Sequence, residues 1–504
     1  SEVSGSSVAG ISVKEDSDAI SVDTGPLAVT FGKKGSLWRS IQVDGKSWNN
    51  ALSPEITFHG AGGLTATTSD APHTLEIEEA GSERVVVRAY GEIHRVQGDE
   101  SLNFAYDIRF HFFRDSDVIR IDPTITNLKG WEPHIGLSYT DLTRVCLRLP
   151  GWVPAKEFAF HVGTDGEPVW GQGARFQLLQ SDADAFEVVA DGRQIGSGRP
   201  AAGWVEISNG DRLLSLGVRH FWEQAPKAIG VNGEGDLVVD LWAEQDRHLI
   251  MGGGEAKRHE LYVCLGDTGT ETVKGMLDPL RAVAPPSWYS ATGGFGRPFL
   301  LIEEDELALY EPHVAIYEEF VRKGYERLME NRSRLEEYGW RNFGDWSTTW
   351  DNDGWGNNEY DLGHVYFQQF ARTGDLGFFD LAETAARHWM DIDLIWAANN
   401  RWWLGGGLQH SEAHRRYAAA DHTWNQGFID YYHLTGDRRS LQAAQAIGDF
   451  FAYLAFERPN QRRPRVVQTA DKDLPTRNPG WALIALVSLY ESTLDPYYLK
   501  AAET

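Results

Sequence analysis

The feature that most constrains this 504-residue chain is a change of hydrophobic period near residue 305. Before it, "LAVTF", "VVVRAYGEI", "LNFAYDIRFHFF" and "DVIRIDPTI" alternate apolar and polar residues, as half-buried strands do. Turn signals such as "VDGKS", "FRDSD" and "GEGD" separate these runs. Long alternating strands predict a large antiparallel sandwich rather than a parallel sheet. After residue 305 the apolar residues recur at helical spacing. The stretch "RAVAPPSWYSATGGFGRP", residues 281–298, is rich in Pro, Gly and Ser and reads as the crossing between the two halves. The expected organisation is a sandwich over 1–285, a linker over 286–304 and a helical domain over 305–504.

The helical half repeats itself. "YFQQFARTGDLGFFDLAETAARHW", "YYHLTGDRRSLQAAQAIGDFF" and "LVSLYESTLDPYYLKAAE" each join two helices through a Thr-Gly-Asp-like turn. The turn aspartates Asp375, Asp437 and Asp495 stand 62 and 58 residues apart, the length of one helical hairpin plus a long loop. Stacked hairpins of this kind predict an α/α toroid or solenoid, so the fold class is α+β multidomain. Three hairpins are visible, about half of what a closed ring needs, so an open arc or a trimmed chain is expected. In a regular array the long loops 341–360, 396–423 and 457–479 emerge at one end, where binding residues belong.

Charge narrows the partners. With 73 acidic and 47 basic residues the net charge is −26, which argues against nucleic acid and against an anionic membrane surface. No apolar run is long enough to span a bilayer. Only Cys146 and Cys264 are present, so there is no disulfide framework, although one bridge is possible. Nineteen tryptophans supply either core or flat platforms for sugar rings.

Against this acidic background the three loops concentrate other chemistry. The first carries Asp345, Trp346, Trp350, Trp355, Asn358, Glu359 and Tyr360, with His364 one turn into the next helix. Counted from Asp351, its "DNDGWG" puts glycine sixth as a calcium-binding EF-hand would, but Trp355 is fifth and Leu362 twelfth. A looser calcium site, structural or charge-neutralising, remains open, and no cofactor is required. The second loop, "GLQHSEAHRRYAAADHTWNQG", carries His410, His414 and Tyr417 at spacings one helical face could present, together with Arg415, Arg416, His422 and Trp424. A zinc pair of the metalloprotease kind would need glutamate where Ser411 stands, so no metal ligand is assigned. The third loop is cationic, with Arg458, Arg462, Arg463, Arg465, Lys472 and Arg477. Arginine binds carboxylates through a planar fork, and His and Tyr exchange protons near neutral pH. The residues alone therefore point to a protein that acts on an anionic carbohydrate.

β-Elimination of a uronate polymer uses all of these groups. A base takes the C5 proton, cations neutralise the adjacent carboxylate, and the C4 oxygen leaves. The segments "NNEYDLGH", "RTGDLGFFDLAETAARHWMDID", "GLQHSEAH", "DHTWNQGFIDYYHLTGD" and "RNPGWAL" resemble the α/α-toroid domain of the exo-rhamnogalacturonan lyase family. "ISVDTGPLAVTFGKKGSLWRSIQVDGK" and "IRFHFFRDSDVIRIDPTITN" resemble the β-sandwich that precedes it. The resemblance implies a secreted or periplasmic lyase, expected as a monomer, acting on rhamnogalacturonan or on ulvan. His410, His414, Tyr417, His364 and His422 are the candidates for proton transfer. Asn358, Glu359, Arg415 and Arg416 are the candidates for substrate binding, with Trp355, Tyr360 and Trp424 as sugar platforms. Two alternatives stay open. A glycoside hydrolase would draw two carboxyls from Asp345, Glu359, Glu412 and Asp421. A non-catalytic acidic-glycan-binding protein would need only the arginines and aromatics.

Overall fold

The computed structural model describes residues 10–48, 53–130, 138–153, 157–210, 212–266, 269–296, 299, 301, 309, 312–348, 354–408, 418, 420–457 and 477–504. They form two compact units. The first comprises Ser1–Lys129, Tyr139–Met251 and Lys257–Leu280; the second comprises Gly130–Ser138, Gly252–Ala256 and Arg281–Thr504.

The first unit is the antiparallel sandwich that the alternating pattern predicts. Its ten-stranded sheet is built on the long strands Arg84–Gln97, Glu100–Phe113 and Val118–Asn127, and Phe104 pairs with Ile93 on one side and Asn127 on the other. Along the middle strand Leu102, Phe104, Tyr106, Ile108, Phe110 and Phe112 are all buried, a period of two carried through its length. The facing nine-stranded sheet includes Glu55–Gly60, Tyr139–Leu149 and Phe176–Asp182. Stacked rings join the sheets: Phe58 on Phe104 and Phe160 on Phe176, each with centroids 4.2 Å apart. Each such ring contributes about 1.5–3 kcal/mol through burial. A five-stranded meander over 12–47 packs Phe31 and Trp38 against Phe110, both at 5.3 Å. The helix α1 (Gly269–Leu277) closes over Gly217, where an added Cβ would come within 2.6 Å of Val273. Cys146 and Cys264 are both buried free thiols, so the one bridge the sequence allows is not made.

The second unit is helical, with α2 (Pro286–Thr292), α3 (Pro312–Arg334), α4 (Leu362–Thr373), α5 (Leu376–Asp391), α6 (Gln426–Thr435), α7 (Arg438–Glu457), α8 (Arg477–Thr493) and α9 (Pro496–Glu503). The stretch expected to be a bare linker contains α2. Proline in its first turn presets the backbone, and Tyr289 buries its ring 6.1 Å from Phe370.

The pairs α4/α5, α6/α7 and α8/α9 are joined by the repeated turn, which is one hydrogen-bonded device used three times. The hydroxyls of Thr373, Thr435 and Thr493 donate to the carbonyls four residues back, of Gln369, Tyr431 and Leu489. The same hydroxyls accept the amides of Asp375, Asp437 and Asp495. Those aspartates then cap the next helix, accepting from Gly377, Ser440 and Tyr497 at 2.8, 3.0 and 2.9 Å. The residue between must be left-handed to close the helix: Gly374 at φ 76°, Gly436 at φ 71° and, in the third copy, Leu494 at φ 56°. Phe367, Phe370, Trp389, Trp424, Ile447, Phe450 and Leu489 belong to one continuous core running through these hairpins.

Candidate active site

The loop that enters α4 is held in a conformation its residues would not adopt alone. Asn357, Asn358, Tyr360 and Asp361 all have φ between 48° and 63°, four left-handed residues within five positions. Each costs roughly 1–2 kcal/mol for a non-glycine residue, less for Asn and Asp. The surroundings meet that cost. Asp345 accepts the amides of Asn357 and Asn358 at 2.8 and 2.9 Å. The side-chain amides of the same asparagines donate to the carbonyls of Leu408 and Ala385, both at 3.1 Å. Asp361 caps α4 by accepting from His364 N and takes Gly427 N on its other oxygen, and burial pushes its carboxyl above the ordinary range. Strain this over-determined clusters at functional sites.

The loop presents Glu359 and Tyr360. Glu359 Oε1 lies 2.7 Å from Arg477 Nη2, at the start of α8, and 3.5 Å from His422 Nδ1. The Arg477 guanidinium also sits 5.0 Å from the centroid of Tyr360, which is 57% exposed. One accessible arginine therefore lies across an exposed ring, with a carboxylate and an imidazole beside it. That set can bind a sugar face and exchange Glu359 for a substrate carboxylate as the partner of Arg477.

A second group lies at the first turn of α4. His364 Nδ1 is 2.5 Å from Asp430 Oδ2 on α6, and its Nε2 is 2.8 Å from Gln368 Nε2. Burial alone would lower the imidazole pKa, but the charge and hydrogen bond of Asp430 outweigh it and hold it above the ordinary value. An imidazole oriented by a carboxylate is the arrangement of a general base or acid.

The other expected residues divide. His410, His414, Arg415, Arg416 and Tyr417 lie outside the described residues, as does Glu412. His422 is buried with its ring toward Glu359. Trp355 is half-buried on a two-residue strand pairing with Ser347–Thr348. Two expected contact residues turn inward. Trp424, 3% exposed, stacks on Trp389 at 5.6 Å, packs against the tilted ring of Trp481 at 5.5 Å, and offers no platform to a sugar. Asn358 spends its amide on Ala385 and is equally enclosed. Asp345 is 1% exposed with both oxygens on backbone amides, so it is not a solvent-facing acid. Arg477 and Asp430 were not among the candidates. Arg477 was legible as part of the cationic third loop, whereas nothing in the sequence pairs Asp430 with His364.

One family model matches part of the sandwich. Residues 11–127 match the family model of the PcRGLX-like protein central beta sandwich domain. The match supports a relationship to rhamnogalacturonan-lyase-like proteins and suggests a polysaccharide-active enzyme family. No curated protein matches the sequence. Among solved structures, a TPR-domain containing protein from Parabacteroides distasonis is similar over 96% of this chain and 80% of its own, at 9% identity and a TM-score of 0.33. A glycosyl hydrolase family 38 protein from Enterococcus faecalis is similar over 49% of this chain and 30% of its own, at 11% identity and a TM-score of 0.34. Galactose 1-epimerase from Lactobacillus acidophilus is similar over 51% of this chain and 98% of its own, at 10% identity and a TM-score of 0.30. Likenesses this distant carry no argument about mechanism.

Proposed function

We propose that this protein is a secreted or periplasmic polysaccharide lyase that cleaves a uronate–rhamnose polymer, rhamnogalacturonan or ulvan, by β-elimination. The observation that carries the reading is the convergence of Arg477 and His422 on one oxygen of Glu359, beside the exposed ring of Tyr360. In this reading the substrate carboxylate takes the place of Glu359 as the partner of Arg477, and the sugar rests on Tyr360. Neutralised in this way, the carboxylate accepts the charge that develops when the C5 proton is removed. A histidine or tyrosine takes that proton, with His364, His410, His414, His422 and Tyr417 as the candidates. The C5–H electrons become the C4–C5 double bond, the C4–O bond breaks, and the leaving oxygen takes a proton. Arg415 and Arg416 belong to the same carboxylate-binding role. No cofactor is needed for this chemistry.

The test is near-ultraviolet absorbance during incubation with rhamnogalacturonan and, separately, with ulvan. A rise shows the conjugated double bond and names the polymer. New reducing ends without a rise would replace the lyase reading with hydrolysis, and no cleavage of either polymer would leave acidic-glycan binding.

A further inference from the structure

Beneath the strained loop three side chains bring metal-ligand atoms together. Asp345 precedes the loop, His388 lies in the last turn of α5, and Asp393 follows two residues after that helix ends. They are 1%, 1% and 0% exposed. His388 Nε2 is 2.9 Å from Asp393 Oδ2 and 3.9 Å from Asp345 Oδ2, and ligand atoms from all three lie within 4.8 Å of one another. Donors around a tetrahedral ion bound at about 2.0–2.2 Å stand roughly 3.4 Å apart, a spacing these distances bracket. Two carboxylates so enclosed carry a desolvation cost of several kcal/mol each, which a divalent cation offsets.

A protonated imidazole could answer part of that charge, so the triad alone does not specify a metal. The asparagines of the loop add a separate observation. Asn358 is 2% exposed; its amide N–H bonds Asp345, and its Nδ2 bonds Ala385, one turn ahead of His388 on α5. Asn358 thus ties the Asp345 carboxylate, through its backbone N–H, to the turn of α5 that carries His388, and its side-chain Oδ1 is buried. That oxygen has no hydrogen-bond partner among the described residues. Asn357 repeats the pattern toward the third ligand. Its Nδ2 bonds Leu408 O, Leu408 N bonds Asp393 O, and its own Oδ1 is likewise unpartnered among the described residues. A buried amide oxygen left unpaired costs about 1–3 kcal/mol, and a bound cation removes that cost. The backbone is also pressed into place, because a Cβ on Gly344 would fall 2.7 Å from His388 Cβ.

We propose that Asp345, His388 and Asp393 form a zinc site with the Asn358 side-chain oxygen as fourth donor. One imidazole and three oxygens suit four-coordinate zinc, whereas calcium takes six to eight oxygen ligands. With every protein donor buried, the site is structural. It fastens the loop bearing Glu359 and Tyr360 to the end of α5. The assignment does not depend on the lyase reading, and its readouts are metal content and stability.

The experiment is zinc analysis by plasma mass spectrometry on the full chain, purified without chelator or metal-affinity steps, with thermal midpoints before and after chelator dialysis. The expected result is one zinc per chain and a midpoint several degrees lower after removal, restored by zinc and not by calcium. Asp393→Asn replaces one of the proposed ligands and should weaken zinc binding by at least about 10–100-fold, the loss that follows removal of a group that only supports a ligand. If that variant fails to fold, cobalt replacement in the wild-type chain should give the visible absorption of a tetrahedral site. Zinc-free protein whose midpoint ignores both chelator and added zinc, or a response to calcium alone, would overturn the proposal.

Discussion

Arg477 and Glu359, 118 residues apart in the chain, meet at 2.7 Å between Nη2 and Oε1. The contact joins the strained loop before α4 to the first residue of α8 and fixes the guanidinium against Tyr360. Arg477→Ala should raise KM for the uronate polymer about tenfold or more, the loss of one charge-assisted contact worth about 1.4 kcal/mol or more. Its far-ultraviolet circular dichroism should match the wild type. Steady-state kinetics on the responsive polymer provides the check, and an unchanged KM would remove Arg477 from the substrate site.

The His364–Asp430 pair makes stability depend on pH. The folded pKa of His364 is raised, so the stabilisation from its protonated form is complete below about pH 6.5 and is lost as pH rises through the raised value. Asp430→Asn should lower the His364 pKa, because burial is then opposed by less negative charge. Ring-proton NMR titration measures that shift. Urea unfolding should also show a larger wild-type advantage near about pH 6 than near about pH 9.

The third hairpin turn carries a correctable strain. Leu494 is 73% exposed at φ 56°, where the equivalent turns use Gly374 and Gly436. Leu494→Gly relieves about 1–2 kcal/mol of left-handed backbone cost and loses part of it to unfolded-chain entropy. The expected net gain is about 0.5–1 kcal/mol, read as a higher denaturation midpoint. A loss of stability would show that the exposed side chain contributes more than its accessibility implies.

Gly344 predicts the opposite sign. At φ 105°, with an added Cβ 2.3 Å from the Thr384 carbonyl oxygen and 2.7 Å from His388 Cβ, it has no room for a side chain. Gly344→Ala should cost about 2–5 kcal/mol, from backbone strain together with overpacking against α5. Chemical denaturation measures this directly, and a neutral result would mean that the loop can retreat from the helix.

Local pattern was enough to read a strand half and a half of helical hairpins. The alternation of Leu102 through Phe112 and the three Thr-x-Asp turns are short-range signals, and the strands and hairpins follow them. The same pattern misread α2, because Pro, Gly and Ser mark both linkers and helix starts. It also could not sort the aromatic residues of the site. Trp424 and Tyr360 look alike as candidate platforms, yet one is core and the other is surface, since only packing against Trp389 and Trp481 distinguishes them.

By itself, then, the sequence determined what repeats locally: strand period, helix period, turn chemistry and the excess of cations and imidazoles in particular loops. Tertiary structure alone decided which distant groups meet. Glu359 with Arg477, His364 with Asp430, and Asp345 with His388 and Asp393 are pairings between elements separated by tens of residues. No periodicity encodes them, because each depends on where the hairpins come to rest against one another. The left-handed run from Asn357 to Asp361 belongs with them, since its cost is met by Asp345, Ala385, Leu408 and Gly427, none of which is its neighbour in sequence.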